Sequence, residues 1–198
     1  MLITKPAILD VLLVKDYAVF DGDNYDLNII GIRSKNSVAG EFDDLIVVVY
    51  KVNGEWFQEC FKCTTDPGVY WLLDKKKKGN KKGTAVLVPG QYRGCWIIDY
   101  HSGRYKALCQ RTGNVKVYRD ANKDNIIDKD NSTIDEGKFG VNIHRAHSKY
   151  EIDTVGAYSA GCTVIQRPED FDRFMWLAHQ QIKHNPTYKR FSYTLIEE

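Results

Sequence analysis

The chain has 198 residues, 43% hydrophobic and 27% charged, with a formal net charge of +2. That length and composition suit one soluble domain with a sizeable core and exclude a disordered chain, and so small a charge gives no ground for a nucleic-acid partner. Twelve Tyr, eight Phe and four Trp against five Pro favour strands, because flat side chains suit a half-buried pleated surface.

The chain opens on MLITKPAILDVLLVKDYAVF, whose apolar segment AILDVLLV is interrupted by Asp10. It lacks an uninterrupted signal-peptide core and a small-residue cleavage site, and no later stretch is long enough to span a membrane. The expectation is cytoplasmic synthesis, with action elsewhere only if the protein is released or carried on a virion.

Strand character then recurs at NIIGIR (28–33), LIVVVYKV (45–52), EWFQECFKC (55–63), AVLV (85–88), CWIIDY (95–100), RYKALCQ (104–110) and VKVYRD (115–120). Turn signals such as NG (53–54), DPG (66–68) and TGN (112–114) separate them, a spacing that indicates a β-sandwich or barrel. The basic run KKKKGNKKG (75–83) is broken by Gly79 and Gly83 and reads as a solvated hairpin loop. It holds no aromatic residue on which a base could stack.

Five cysteines leave at least one unpaired. Cys60 and Cys63 have redox or zinc spacing, but there is no second C-x-x-C, and strand positions three apart point to opposite faces. A structural pair of small core residues is the preferred reading. DANKDNIID (120–128) places Asp120, Asn122, Asp124 and Asp128 at positions 1, 3, 5 and 9 of a calcium-loop pattern. Asn125 replaces the turn glycine and Asn131 the bidentate glutamate, so calcium binding and a merely polar connection both stand.

The clearest helix follows in RPEDFDRFMWLAHQQIKHNP. Pro168 suits a first turn, Glu169 and Asp170 complement the helix dipole, and Pro186 marks the end. Phe171, Phe174, Met175, Ala178 and Ile182 form its apolar stripe. The tail KRFSYTLIEE returns to strand alternation through Phe191, Tyr193 and Leu195.

Between strands and helix lie NIHRAH (142–147) and GAYSAGC (156–162). A cysteine is a good acyl-transfer nucleophile only as thiolate, so Cys162 needs a base close by. Among His101, His144, His147, His179 and His184, the best candidate is His144, since VNIH reads as the end of a buried strand that would hold the imidazole rigidly. Gly161 lets the backbone approach a substrate carbonyl, and consecutive amides there would supply an oxyanion hole. On residues alone, a structural and a catalytic reading of the pair both stand.

His144, Gly156 and SAGC (Ser159, Ala160, Gly161, Cys162) resemble the H-x(n)-G-x(n)-S-x-G-C signature of the L,D-transpeptidase (YkuD-type) catalytic domain. TTDPG (64–68) and VPGQY (88–92) weakly resemble that family's T-P-x-G segment. The resemblance implies a single catalytic domain over 1–198, a mainly β fold with one C-terminal helix and a β-sandwich of mixed sheets. Residues 1–120 would form the strand-rich region, and 121–198 the His/Cys region and helix. It implies a thioester between Cys162 and a peptidoglycan stem peptide, resolved by an amine in cross-linking or by water in hydrolysis. His144 would be the base and then the acid, and the amides of Gly161 and Cys162 the oxyanion donors, with no cofactor and no metal. The imidazole's other partner is often a backbone carbonyl in that family.

Val164 stands where many members have arginine or asparagine, and Ala160 where histidine or lysine is common. Substrate anchoring would then fall to Ser159, Arg145 and Tyr158, or to Gln166. The missing export signal points to a phage lytic or wall-recycling enzyme. The alternative is a non-catalytic β-rich virion or cell-wall-binding module.

Overall fold

The computed structural model describes residues 5–74 and 81–198. Most of the basic run therefore lies outside the described residues. The apolar segment near the start is a short helix, α1 (Ile8–Val14), not an extended run. It is one-sided: Leu9 and Leu12 are buried with Ile30, Val47, Val49 and Ile196, while Asp10, Leu13 and Val14 are exposed. No helix among the described residues is long and apolar enough to cross a membrane.

The strands follow as β1 (Asn28–Arg33), β2 (Asp44–Val52) and β3 (Glu55–Thr64). After the one-turn α2 (Val69–Leu72) come β4 (Thr84–Leu87), β5 (Gly90–His101), β6 (Tyr105–Gln110) and β7 (Val115–Asp120). The short β8 (Asp135–Gly137), β9 (Ile143–Arg145) and β10 (Thr163–Ile165) precede α3 (Pro168–His184) and β11 (Phe191–Glu197). The expected strands and C-terminal helix are thus present. At the β2–β3 hairpin, Asn53 and Gly54 have φ of 53° and 79°, the paired left-handed residues of a turn whose twist matches its strands.

The mainly β architecture expected from the sequence forms, but the large sheet closes on itself instead of facing a second sheet as a sandwich. Eight strands make a closed barrel in the order β1-β11-β5-β6-β9-β10-β3-β2, and β4-β7-β8 form a separate three-stranded sheet. Closure depends on β11 pairing in parallel with β1, Tyr193 opposite Ile29 and Leu195 opposite Gly31. A second parallel pair, β9 with β10, sits in the opposite wall. One main core draws on Leu27 through Leu195, including β4 and β7 and the α3 residues Phe171, Phe174, Met175, Leu177 and Ala178. Leu177 joins the predicted stripe, and Ile182 lies at its half-buried edge.

Cys60 and Cys63 sit on β3, one exposed and one buried, and all five thiols are free. The period of two explains why only Cys63 is a core residue.

Arg33, at the end of β1, is fully buried and fixes the turn after β3. Its Nε donates to Thr65 Oγ1 (2.9 Å), Nη1 to the Leu87 carbonyl (2.9 Å) and Nη2 to the Thr65 carbonyl (3.0 Å). Asp66 Oδ1 lies 3.0 Å from Nε. Because that N–H points at Thr65, the contact with Asp66 is electrostatic and Oδ1 has no hydrogen bond of its own. The charge is neutralised in place, which is the condition for burying it. The turn so fixed, TTDPG, lies under the cysteine loop.

Candidate active site

The β9–β10 register brings the two predicted chemical groups to one face. Thr163 pairs with Ile143 and Val164 with His144. Ile143 and Ile165 belong to the main core, while Val164 and Cys162 pack into a satellite cluster with Phe42, Ala146 and Val155. Strand alternation therefore puts His144 and Cys162 on the same, core-averted face, one ladder step apart on neighbouring strands. The strand spacing and a two-residue rise put the Cα atoms of such diagonal neighbours roughly 8 Å apart.

His144 lies in the middle of its short strand and is 3% exposed. Its Nδ1 is 2.9 Å from its neighbour's carbonyl, Arg145 O, and 3.4 Å from Tyr105 Oη. A carbonyl accepts only, so Nδ1 carries the proton and Nε2 is left with its lone pair. Nε2 is buried and has no hydrogen-bond partner. Burial, reinforced by His101, pushes the His144 pKa down to about 3. The imidazole is therefore neutral at physiological pH, and burial holds its basicity well below that of a free histidine.

His101, from the far end of β5, stacks on His144 with ring centroids 4.0 Å apart. Asn142 Oδ1 accepts from the Gln110 amide (3.0 Å), so its amide nitrogen donates to His101 Nδ1 (3.0 Å). Burial lowers the His101 pKa, and Arg111 and Arg104 lower it further. The result is a stacked pair of neutral rings. Nothing near His101 in the chain signals this role. It follows from the pairing of β6 with β9, Leu108 opposite Ile143.

Cys162 is partly exposed as a residue, but its sulfur is well enclosed. Sγ accepts from the Asn142 amide (3.4 Å) and donates to the Gly140 carbonyl (3.5 Å). Burial pushes the thiol pKa up to about 11, against the lowering effect of the Asn142 amide. The resting couple is thus neutral thiol and neutral imidazole, with no hydrogen bond between them.

The loop before Cys162 works differently from the sequence expectation. Ser159 is fully buried. Its hydroxyl donates to the Cys162 carbonyl (2.7 Å) and accepts from the Gly161 amide (3.2 Å). It holds the cysteine in position, and burial keeps it from meeting a substrate. The Gly161 amide, already bonded, is not an available oxyanion donor, so that expected role reduces to the Cys162 amide. Gly161 has φ of 110°, and a Cβ there would lie 2.3 Å from the Ala85 carbonyl oxygen. Glycine is required because β4 passes against the loop, not because a substrate must approach it.

The TTDPG turn completes the support. Gly68 N–H donates to the Ser159 carbonyl (2.9 Å), and Trp71 Nε1 to the Ala157 carbonyl (3.0 Å).

Arg145 lays its guanidinium 4.2 Å from the Tyr105 ring centroid and 5.8 Å from that of Phe171. Its backbone carbonyl orients His144, while its side chain packs on these rings. Tyr158 is exposed at the rim of the loop. Gln166 is buried and donates to the Ile152 carbonyl (2.8 Å). His147 stacks instead on Tyr150, with centroids 5.2 Å apart.

The DANKDNIID segment follows β7 as a loop. Asn122 Nδ2 donates to Asp124 Oδ2 (2.9 Å) and Asp128 Oδ2 (2.8 Å), and Asp128 N–H donates to Asp120 Oδ2 (3.0 Å). The left-handed residue is Lys123, with φ of 64°, not Asn125.

Comparison with protein-family models, curated proteins and solved structures yields no match. The functional reading rests on the residues and their geometry.

Proposed function

We propose that this protein is a peptidoglycan-acting cysteine acyltransferase or hydrolase of the L,D-transpeptidase type. The observation that carries the reading is the orientation of His144. Arg145 O holds the proton on Nδ1, which leaves a bare, buried Nε2 on the face that Cys162 shares. A structural histidine in such a place would ordinarily have both nitrogens satisfied.

In the proposed reaction a stem peptide enters beside the loop, and the Cys162 thiol turns from the Gly140 carbonyl towards His144. Nε2 takes the thiol proton as sulfur attacks the carbonyl of an L-residue joined to a D-residue. A C–S bond forms and the carbonyl π pair moves to oxygen, where the Cys162 amide would act as donor. As the pair returns, the C–N bond breaks and the imidazolium gives its proton to the departing amine, leaving a thioester. An acceptor amine or water then adds to the thioester while His144 takes a proton from it, and sulfur leaves and is reprotonated. The high resting pKa of the thiol means that the thiolate exists only during proton transfer, as with a serine nucleophile, not as a stored ion pair.

Muropeptide mass spectrometry on sacculi incubated with the protein tests this. New cross-linked or shortened stem peptides are expected from the wild type and not from Cys162→Ala. Identical profiles from both would instead favour the non-catalytic wall-binding reading.

A further inference from the structure

The loop after β7 holds a carboxylate oxygen that the protein leaves without a partner. Asp120 is 3% exposed, and its Oδ1 is buried with no hydrogen bond. Its other oxygen accepts from the Asp128 amide, so the carboxylate faces into the loop. A buried carboxylate oxygen without donor or cation is costly to maintain.

Among the described residues the partial charges of the Asp128 and Asn122 amides act on it, and no ion pair does. Lys123 is paired with Asp74 (3.5 Å) and Lys129 with Glu197, and no cation among the described residues bridges to Asp120, Asp124 or Asp128. What lies between Asp124 and Asp128 is the Asn122 amide nitrogen, 2.9 and 2.8 Å from their oxygens. Calcium–oxygen distances of roughly 2.3–2.6 Å are only slightly shorter. The amide hydrogens thus supply positive charge at a point where a cation would fit.

We propose that residues 120–128 form a calcium site. The ligands are the carboxylates of Asp120, Asp124 and Asp128, the side-chain oxygen of Asn122 and the backbone carbonyl of Ile126. Their spacing is that of positions 1, 3, 5, 9 and 7 of a calcium loop. No three His, Cys, Asp or Glu side chains among the described residues are already gathered as a metal site. Binding therefore turns the Asn122 amide about its last torsion, giving up the bond its Oδ1 accepts from the Asp124 amide (3.1 Å), and draws the three carboxylates inward. Hard oxygen ligands on a flexible loop select calcium over magnesium, which demands a tighter octahedron. Asn131 replaces the bidentate ligand and begins a 3-10 turn, which places the site at the weak end of the range, with Kd about 10⁻⁴–10⁻³ M.

The site also has a structural connection to the cysteine loop. Asp120 pairs with Thr84 and Arg119 with Ala85, the residue against which Gly161 packs. Calcium would fix the strand pair on which that loop leans.

Calorimetric titration of the whole protein with CaCl2, with MgCl2 as control, tests the proposal alongside melting scans with and without EDTA. A saturable calcium heat is expected, with a melting-temperature rise of about 3–10 °C at about 10 mM calcium and a smaller one with magnesium. Asp124→Asn, which is only half-buried, should keep the EDTA melting temperature and lose most of the calcium rise. Asp120→Asn should lose it entirely. Absence of a saturable heat and of any rise in the wild type overturns the site, as does a calcium response that survives in both variants.

Discussion

The cysteine loop (156–162) and the acidic loop (120–128) are both irregular segments attached to the β4–β7 edge, yet they are built on opposite principles. In the first, polar groups are matched internally: Ser159 joins the Gly161 amide to the Cys162 carbonyl, Gly68 caps the Ser159 carbonyl, and the reactive groups are neutral. In the second, two carboxylates accept from one side-chain amide, and a third, Asp120, keeps a buried oxygen without a partner. The contrast teaches that the first loop is preorganised by the Ser159 hydroxyl and the Gly68 amide, whereas the second leaves a buried carboxylate oxygen open to an added charge.

The largest expected effect comes from breaking the preorganised side. Gly161→Ala places a methyl against the Ala85 carbonyl in a left-handed conformation. A loss of at least about 3 kcal/mol is expected, read from the urea midpoint. Unchanged stability would mean that the loop is free of β4.

Acid is the next lever. The His144 pKa is held at about 3, below its unfolded value of 6.5, so the folded state resists protonation. Its contribution is present above about pH 6.5 and is lost as pH falls towards 3, on the order of a few kcal/mol. Asp44 acts oppositely: burial, with the Asp66 charge, raises it to about 6, so the fold gains as pH falls from 6 towards 3.8. Urea titrations across that range should show a His144→Gln variant losing less stability on acidification than the wild type. Parallel profiles would contradict the buried neutral imidazole.

Ser159→Ala should cost about 1–3 kcal/mol, because it strands a buried amide and a carbonyl. A shift in urea midpoint outside that range would show that the hydroxyl is not what couples the two. The smallest effect falls on the acidic side. Without calcium, Asp124→Asn should change stability by less than about 1 kcal/mol, since it removes charge repulsion as well as a hydrogen bond. A large loss in EDTA would show that the loop is already complete.

The local parts of this contrast were legible in the sequence. NIIGIR and the Asn-Gly hairpin announced themselves by alternation and turn chemistry, and the α3 stripe by its period. The pairing of β11 with β1 was not legible, because it joins residues 164 positions apart, such as Ile29 and Tyr193, with no local signal, and it closes the barrel. β10 was missed for its three-residue length. The AILDVLLV run was read for export features, although its Leu9 and Leu12 spacing is that of a one-sided helix.

At the candidate site, His144 and Cys162 stood out in the sequence because their residue types carry the chemistry, and the β9–β10 pairing puts them on one face. His101 was weighed only as an alternative base, since only the β5–β6–β9 pairing brings it onto His144, and the contacts of Ser159 and Gly161 were not foreseen because each is set by what packs against it.

The most direct test of the central claim is intact-mass analysis after incubation with a carbapenem, an acylating agent for many L,D-transpeptidases. The account predicts one stable covalent adduct on the wild type, none on Cys162→Ala and a much slower one on His144→Gln. No adduct on the wild type, or an equal adduct on Cys162→Ala, would contradict it.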